Sequence, residues 1–141
     1  MALLNDSIRA EVQKRFKELK DPVKIINFTQ EIECQYCAET RRLMEEIAGL
    51  SDKLSLDVYD FVTDKDKAQK YNIDKIPATV IVGDKDYGVR FFGIPSGYEF
   101  VNVLESIVMV SKRESGLSAE TKKKLATLEK PLHLQVFVTP T

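Results

Sequence analysis

The chain has two cysteines, and they stand in one motif, Cys34-Gln-Tyr-Cys37. An apolar run at 23–28 and a polar stretch at 29–33 precede the motif, and an amphipathic run at 38–48 follows it. Cysteine reacts as the thiolate, and the start of a helix stabilises a thiolate through its free N–H groups and its dipole. The context places Cys34 at such a helix start. Cys37 lies one turn further in, within bonding reach and expected to be the more buried of the two. The chemistry this predicts is a reversible dithiol–disulfide couple. Cys34 attacks a substrate disulfide, and Cys37 resolves the mixed disulfide.

Other uses of a cysteine pair fit less well. A structural zinc needs four ligands, and the pair supplies two. The single histidine, His133, lies about a hundred residues away in an apolar stretch. No metal site is expected. A purely structural disulfide closing so short a loop would add only about 2 kcal/mol by the loop-entropy argument. There is no Ser/His/Asp set, phosphate-binding loop or dinucleotide fingerprint. Lys122-Lys-Lys124 reads as a solvated helix face.

Composition narrows the class further. The chain has 141 residues, 43% hydrophobic and 30% charged, with a formal net charge of −1. That is enough apolar content for one ordinary core and too little net charge for a disordered chain. A pI near 5.9 gives no basic footprint for nucleic acid. The longest apolar runs, at 25–28, 79–82 and 107–110, are too short to span a bilayer. The N-terminus lacks the basic and apolar regions of a secretory signal, so the expected setting is cytoplasmic.

The elements that must carry the pair follow from periodicity and breakers. Asn5, Asp6 and Ser7 are acceptable helix caps, and Ile8, Val12, Phe16 and Leu19 follow at helical spacing until Asp21-Pro22. Residues 23–28 read as a buried strand, and 38–48 as a helix with Leu43, Met44, Ile47 and Leu50 on one side. Residues 54–61 alternate as a strand, and 64–71 form a short charged helix with Asp64 as cap. Residues 78–82 and 89–92 form a hairpin across a turn. The final helix, 98–110, turns Phe100, Val101, Leu104, Ile107 and Val108 inward. The order β-α-β-α-β-β-α after a leading helix predicts an α/β fold on a four-stranded mixed sheet, its first two strands parallel.

The tail repeats the opening. A helix at 118–128, Pro131 and an apolar stretch at 134–138 fall on the first helix, Pro22 and the first strand, with Phe137 over Phe28. The expected organisation is one unit over 1–115, with 116–141 the helix and strand of a second, truncated one.

Taken together, the leading helix, Cys34-Gln-Tyr-Cys37, Ile76-Pro77-Ala78-Thr79, Gly88-Val-Arg-Phe-Phe-Gly93 with Pro95 and Gly97, and the tail Val136-Phe-Val-Thr-Pro-Thr141 resemble the thioredoxin-fold proteins. More narrowly, the pattern is similar to the N-terminal unit of the protein disulfide oxidoreductases, the glutaredoxin-like proteins of thermophiles. The resemblance implies a thioredoxin-like fold and a cis-proline at Pro77 facing the cysteines. It also implies a second unit with its own cysteine pair. The chain departs from thioredoxins in lacking their buried acid late in the first strand, where Asn27 stands. It also lacks the glutaredoxin Gly-Gly-x-Asp glutathione site at 93–97. Glu31 and Glu33 flank the nucleophile and would oppose a low thiol pKa, or do little if both face solvent.

The reading that results is a thiol–disulfide oxidoreductase with Cys34 and Cys37 catalytic and with Tyr36, Ile76 and Pro77 on the substrate side. It needs no cofactor. Its partners would be disulfide-containing proteins and a thioredoxin-reductase-like electron donor, and its oligomer a homodimer through the exposed second-unit surface. Two other readings stand beside it. One is a non-catalytic docking or structural module, and the other a thioredoxin-like domain of a flavin-dependent peroxide reductase system.

Overall fold

Four strands and five helices follow from these patterns in the computed structural model, which describes residues 2–139. They are α1 (Asp6–Phe16), β1 (Val23–Thr29), α2 (Cys37–Ala48), β2 (Leu54–Asp60), α3 (Lys65–Lys70), β3 (Ala78–Val82), β4 (Asp86–Phe92), α4 (Tyr98–Lys112) and α5 (Ala119–Ala126). The sheet order is β2-β1-β3-β4. β1 pairs in parallel with β2 and antiparallel with β3, and β3 pairs antiparallel with β4. The expected α/β architecture with a mixed four-stranded sheet is the one observed.

Pleating divides the core in two. Val23, Ile25 and Ile81 face a cluster built with Leu43, Met44 and Ile47 of α2 and Val103, Leu104 and Ile107 of α4. Ile26, Phe28, Ala78 and Val80 face the other way, onto Ala68 and Ile73 around α3. β1 is therefore covered on both faces, which is why its sequence is a nearly unbroken apolar run. Asn5 caps α1 by accepting the Ile8 amide at 2.9 Å. Ser111, fully buried on α4, accepts the Lys20 amide at 2.8 Å and donates to the Asp21 carbonyl at 2.7 Å. That one hydroxyl ties the α1–β1 connection to the last helix of the core.

Several expectations are corrected. Ile8 is exposed rather than inward, and α1 ends at Phe16 with Leu19 buried in the turn beyond it. On α4 the helical period buries Val103, Leu104, Ile107 and Val110 and leaves Val101 exposed. Asp64 precedes α3 without capping it, because its carboxylate instead accepts the Asp60 amide at 2.8 Å. β4 begins at Asp86, three residues earlier than expected, with a register shift opposite Ile81/Val82. Helix α5 forms and is capped by Ser118, yet buries nothing.

Residues 134–138, expected as a strand, carry no regular structure and are largely exposed, Phe137 to 90%. A single strand has no partner for its backbone groups and so does not form alone. Pro140 and Thr141, at the end of the tail, lie outside the described residues.

Candidate redox site

The parallel pairing of β1 with β2 puts the C-terminal ends of both strands on one side of the sheet. Antiparallel pairing brings the start of β3 and the end of β4 to that same side, with Phe28 opposite Ala78 and Ala78 opposite Phe92. Four connections therefore meet there: 30–36 with the cysteine motif, 61–64, the Ile76-Pro77 corner, and the turn from Gly93 to Gly97.

Glu33 takes up left-handed backbone (φ 57) just before Cys34. Gln30 steadies the loop by donating to the Ile32 carbonyl at 2.6 Å. Cys34 and Cys37 are joined as a disulfide with Cα atoms 5.5 Å apart. Cys37 opens α2 and is 1% exposed, while Cys34 is partly exposed in the turn before the helix. One cysteine is thus accessible and the other enclosed. Tyr36 stands at the N-cap position, and its carbonyl receives both the Thr40 amide at 3.0 Å and the Thr40 hydroxyl at 2.7 Å. Thr40 is itself fully buried, so the first turn of α2 is pinned from below.

Pro77 is buried behind a cis Ile76–Pro77 bond, with Ile76 partly exposed beside it. The resemblance implied that cis-proline, and Pro77, Ile76 and Tyr36 all gather at the same end of the sheet as the disulfide. So do Ile32 (73% exposed), Val62 and Phe92, which sequence reasoning passed over. Ile32 had left a signal, as an isolated apolar residue in the otherwise polar stretch 29–33. Exposed apolar side chains and the partly exposed Cys34 thus share one end of the sheet, a surface suited to another polypeptide.

The electrostatics of this end are mild. Glu31 and Glu33 are both exposed, so solvent screens them from the sulfur. Arg41, the cation nearest the motif in sequence, pairs with Glu45 at 2.8 Å. Asp60 is held below the usual carboxylate range, first by the Thr63 amide and then by the Val62 amide, and so shapes the neighbouring turn. Among the described residues, no group of three or more His, Cys, Asp or Glu is placed to hold a metal ion. His133 lies exposed in the tail, far in sequence from the disulfide. The arrangement is equipped for sulfur exchange.

Known proteins share this fold. The family described as thioredoxin domain matches residues 22–105. The thioredoxin of Methanocaldococcus jannaschii is 31% identical over 84 residues, covering 59% of this chain and 93% of that protein. The crystal structure of a protein disulfide oxidoreductase from Aeropyrum pernix superposes with a TM-score of 0.78 at 30% identity, over 90% of this chain and 57% of that one. The NTD N/C domain of alkylhydroperoxide reductase AhpF from Enterococcus faecalis gives a TM-score of 0.80 at 26% identity, over 90% of this chain and 62% of that one. The chain spans less than two thirds of either crystallised chain.

Proposed function

Because this chain belongs to the thioredoxin-domain family, we propose that it is a thiol–disulfide oxidoreductase that exchanges disulfides with protein substrates. The observation that carries the reading is the Cys34–Cys37 disulfide, with Cys34 partly exposed at an end of the sheet rich in exposed apolar side chains and Cys37 buried at the start of a helix. In the reduced form the Cys34 thiolate attacks a substrate sulfur, and the resulting mixed disulfide leaves Cys37 as the only neighbouring thiol. Cys37 then attacks Cys34, reforming the internal disulfide and releasing the substrate reduced. Tyr36, Ile76 and Pro77 line the path by which an extended substrate segment reaches Cys34. Electrons return by exchange from a thioredoxin-reductase-like donor, in a cytoplasmic setting where such couples are kept cycling.

The same reading takes residues 1–115 as one working unit and 116–141 as the opening of a second. The repeated proline and apolar pattern supports this, as do Leu125 and Leu128, exposed on and just beyond α5. Where no second unit covers that face, a second copy of the chain would. The likeness to the AhpF domain favours one other reading, a relay domain of a flavin-dependent peroxide reductase system. Its electron acceptor would then be a peroxiredoxin rather than a range of proteins.

Reduction of insulin disulfides driven by a dithiol, together with the pH dependence of alkylation at each cysteine, tests the proposal. Turnover with a Cys34 thiol well below the usual value of about 8.5 supports it. Two ordinary thiols and no turnover would leave a docking module in its place. Turnover with a peroxiredoxin but not with insulin would favour the relay reading.

A further inference from the structure

The end of the sheet that carries the cysteine motif is also where carboxylates stand without cations. Glu31 and Glu33 lie in the loop before Cys34, and Glu39 in the first turn of α2. Asp60 and Asp64 bound the next connection, and Glu99 follows the turn at 93–97 on α4. None of these six forms an ion pair with a described residue. The lysines of the same connections are offset. Lys75 pairs with Asp74 at 2.8 Å and lies over the Phe92 ring at 4.8 Å, and Lys65 is followed at once by Asp66. The cations one turn further on are engaged elsewhere. Lys67 and Lys70 lie over the Tyr59 and Tyr71 rings, Arg41 pairs with Glu45, and Arg42 acts on Glu46. At the opposite end of the sheet the carboxylates are matched. Glu18 pairs there with Lys112, and Asp21 and Asp84 with Arg113 at 2.9 and 3.8 Å. A chain of formal net charge −1 thus presents its unmatched negative charge around the disulfide.

Exchange brings a partner to these charges. In a mixed disulfide the partner's cysteine Cα sits about 5.5–6 Å from that of Cys34. Glu33 immediately precedes Cys34, with its Cα about 3.8 Å away, and Glu31 is two residues further back. The residues flanking the partner's cysteine therefore arrive at the turn that holds both glutamates. Ile32 between them and Val62 between Asp60 and Asp64, 73% and 53% exposed, offer that segment apolar contact as well. Solvent screens the glutamates from the sulfur, but a docked segment displaces solvent from between them and its own charges. A flank of lysine or arginine is then attracted, and a flank of aspartate or glutamate repelled.

We propose that the site selects disulfides whose cysteines are flanked by lysine or arginine, with Glu31 and Glu33 reading the flank, an inference that rests on the exchange reading above and names its substrate class. The occupant is a cysteine-bearing protein segment with cationic and apolar residues beside the bond. The exchange itself is unchanged. The reduced pair gives two electrons and two protons to the segment's disulfide, which leaves as two thiols while the Cys34–Cys37 bond closes. Because the selecting charges are exposed, the preference must fade as salt shortens the screening length.

Three peptide disulfides that differ only in their flanks, lysine, glutamine or glutamate, test this with the pre-reduced full chain. Each rate is divided by the rate with dithiothreitol, which also attacks as a thiolate and carries no carboxylate, so the flank's effect on the bond itself cancels. The corrected Lys-to-Glu ratio is expected to be about tenfold at about 20 mM salt and to fall to within about twofold of unity at about 0.5 M. Glu31→Gln with Glu33→Gln should lower the low-salt ratio at least about threefold, and Glu31→Lys with Glu33→Lys should invert it. A ratio taken within one protein cancels any change in Cys34, and melting of each oxidised variant reports its fold. A wild-type ratio near unity at low salt, a ratio indifferent to salt, or one untouched in the folded Gln variant overturns the proposal. Equal corrected rates for all three peptides refute the selectivity and keep the exchange. No reaction with any of them, the glutamine peptide included, refutes the exchange and the proposal with it.

Discussion

The amide of Gly93 donates to the carbonyl of Pro77 at 2.8 Å, adding one rung to the β3–β4 ladder just past the Ala78–Phe92 pair. That bond joins the proline corner to the turn after β4, at the end of the sheet that also carries the cysteine loop. Gly93 holds left-handed backbone (φ 88) with open space where a Cβ would stand. Gly93→Ala therefore meets backbone strain and no clash, at a cost of about 1–2 kcal/mol. Denaturant unfolding should show that loss, and insulin reduction should fall further than stability alone explains. Unchanged activity would mean that the corner tolerates displacement.

The two cysteines should fail in different ways. Cys34→Ser is expected to abolish exchange to background, since no exposed thiol remains. Cys37→Ser should keep the first attack and accumulate a covalent adduct at Cys34, visible by mass spectrometry under non-reducing conditions. Equal adduct formation by both variants would refute the assigned order of attack.

Acid should loosen the N-terminal segment first. Glu46 on α2 accepts the Leu3 amide at 2.6 Å, the Leu4 amide at 3.0 Å and Arg9 at 3.2 Å, and its side chain is 16% exposed. The Leu3 amide, followed by Leu4, Arg9 and Arg42, holds its carboxyl below the usual glutamate range. A depressed folded value means that the stabilisation is complete above the unfolded value of about 4.3 and is lost as pH falls through the folded one. Glu46→Gln should cost on the order of 1 kcal/mol at pH 7. Its stability should also flatten in that acid window, as followed by thermal melts from pH 7 to 3. A parallel decline in both proteins would place the acid sensitivity elsewhere.

Ser111→Ala removes one oxygen and strands two partners, the Lys20 amide and the Asp21 carbonyl. The expected loss is about 1–3 kcal/mol, measured by chemical denaturation, with the reduction equilibrium of the cysteine pair unchanged. A loss below about 0.5 kcal/mol would mean that water replaces the hydroxyl.

Much of this architecture was legible because single segments announce themselves. The apolar run of β1 and the Leu43, Met44 and Ile47 stripe of α2 need no distant partner to be recognised. What depends on distant partners was hidden. Nothing near Ser111 in sequence shows that it reaches back to residues 20 and 21. The choice of Val103 over Val101 on α4 depends on where the sheet lies beneath the helix. The stretch 134–138 has the composition of a strand but lacks a neighbour to pair with. At the site, Cys34, Cys37 and Pro77 carried their own signals. Ile32, Val62 and Phe92 share one end of the molecule only because the ends of their strands are aligned there.

The cysteine loop and the proline corner are mounted on β1 and β3, the two central strands of the sheet. Interior strands open only with the whole molecule, whereas edges and termini fray at smaller cost. The reactive end is therefore as durable as the fold itself. On heating, the capacity for exchange should persist undiminished through fraying of the tail and vanish at the same temperature as the global structure, with no inactive folded form in between.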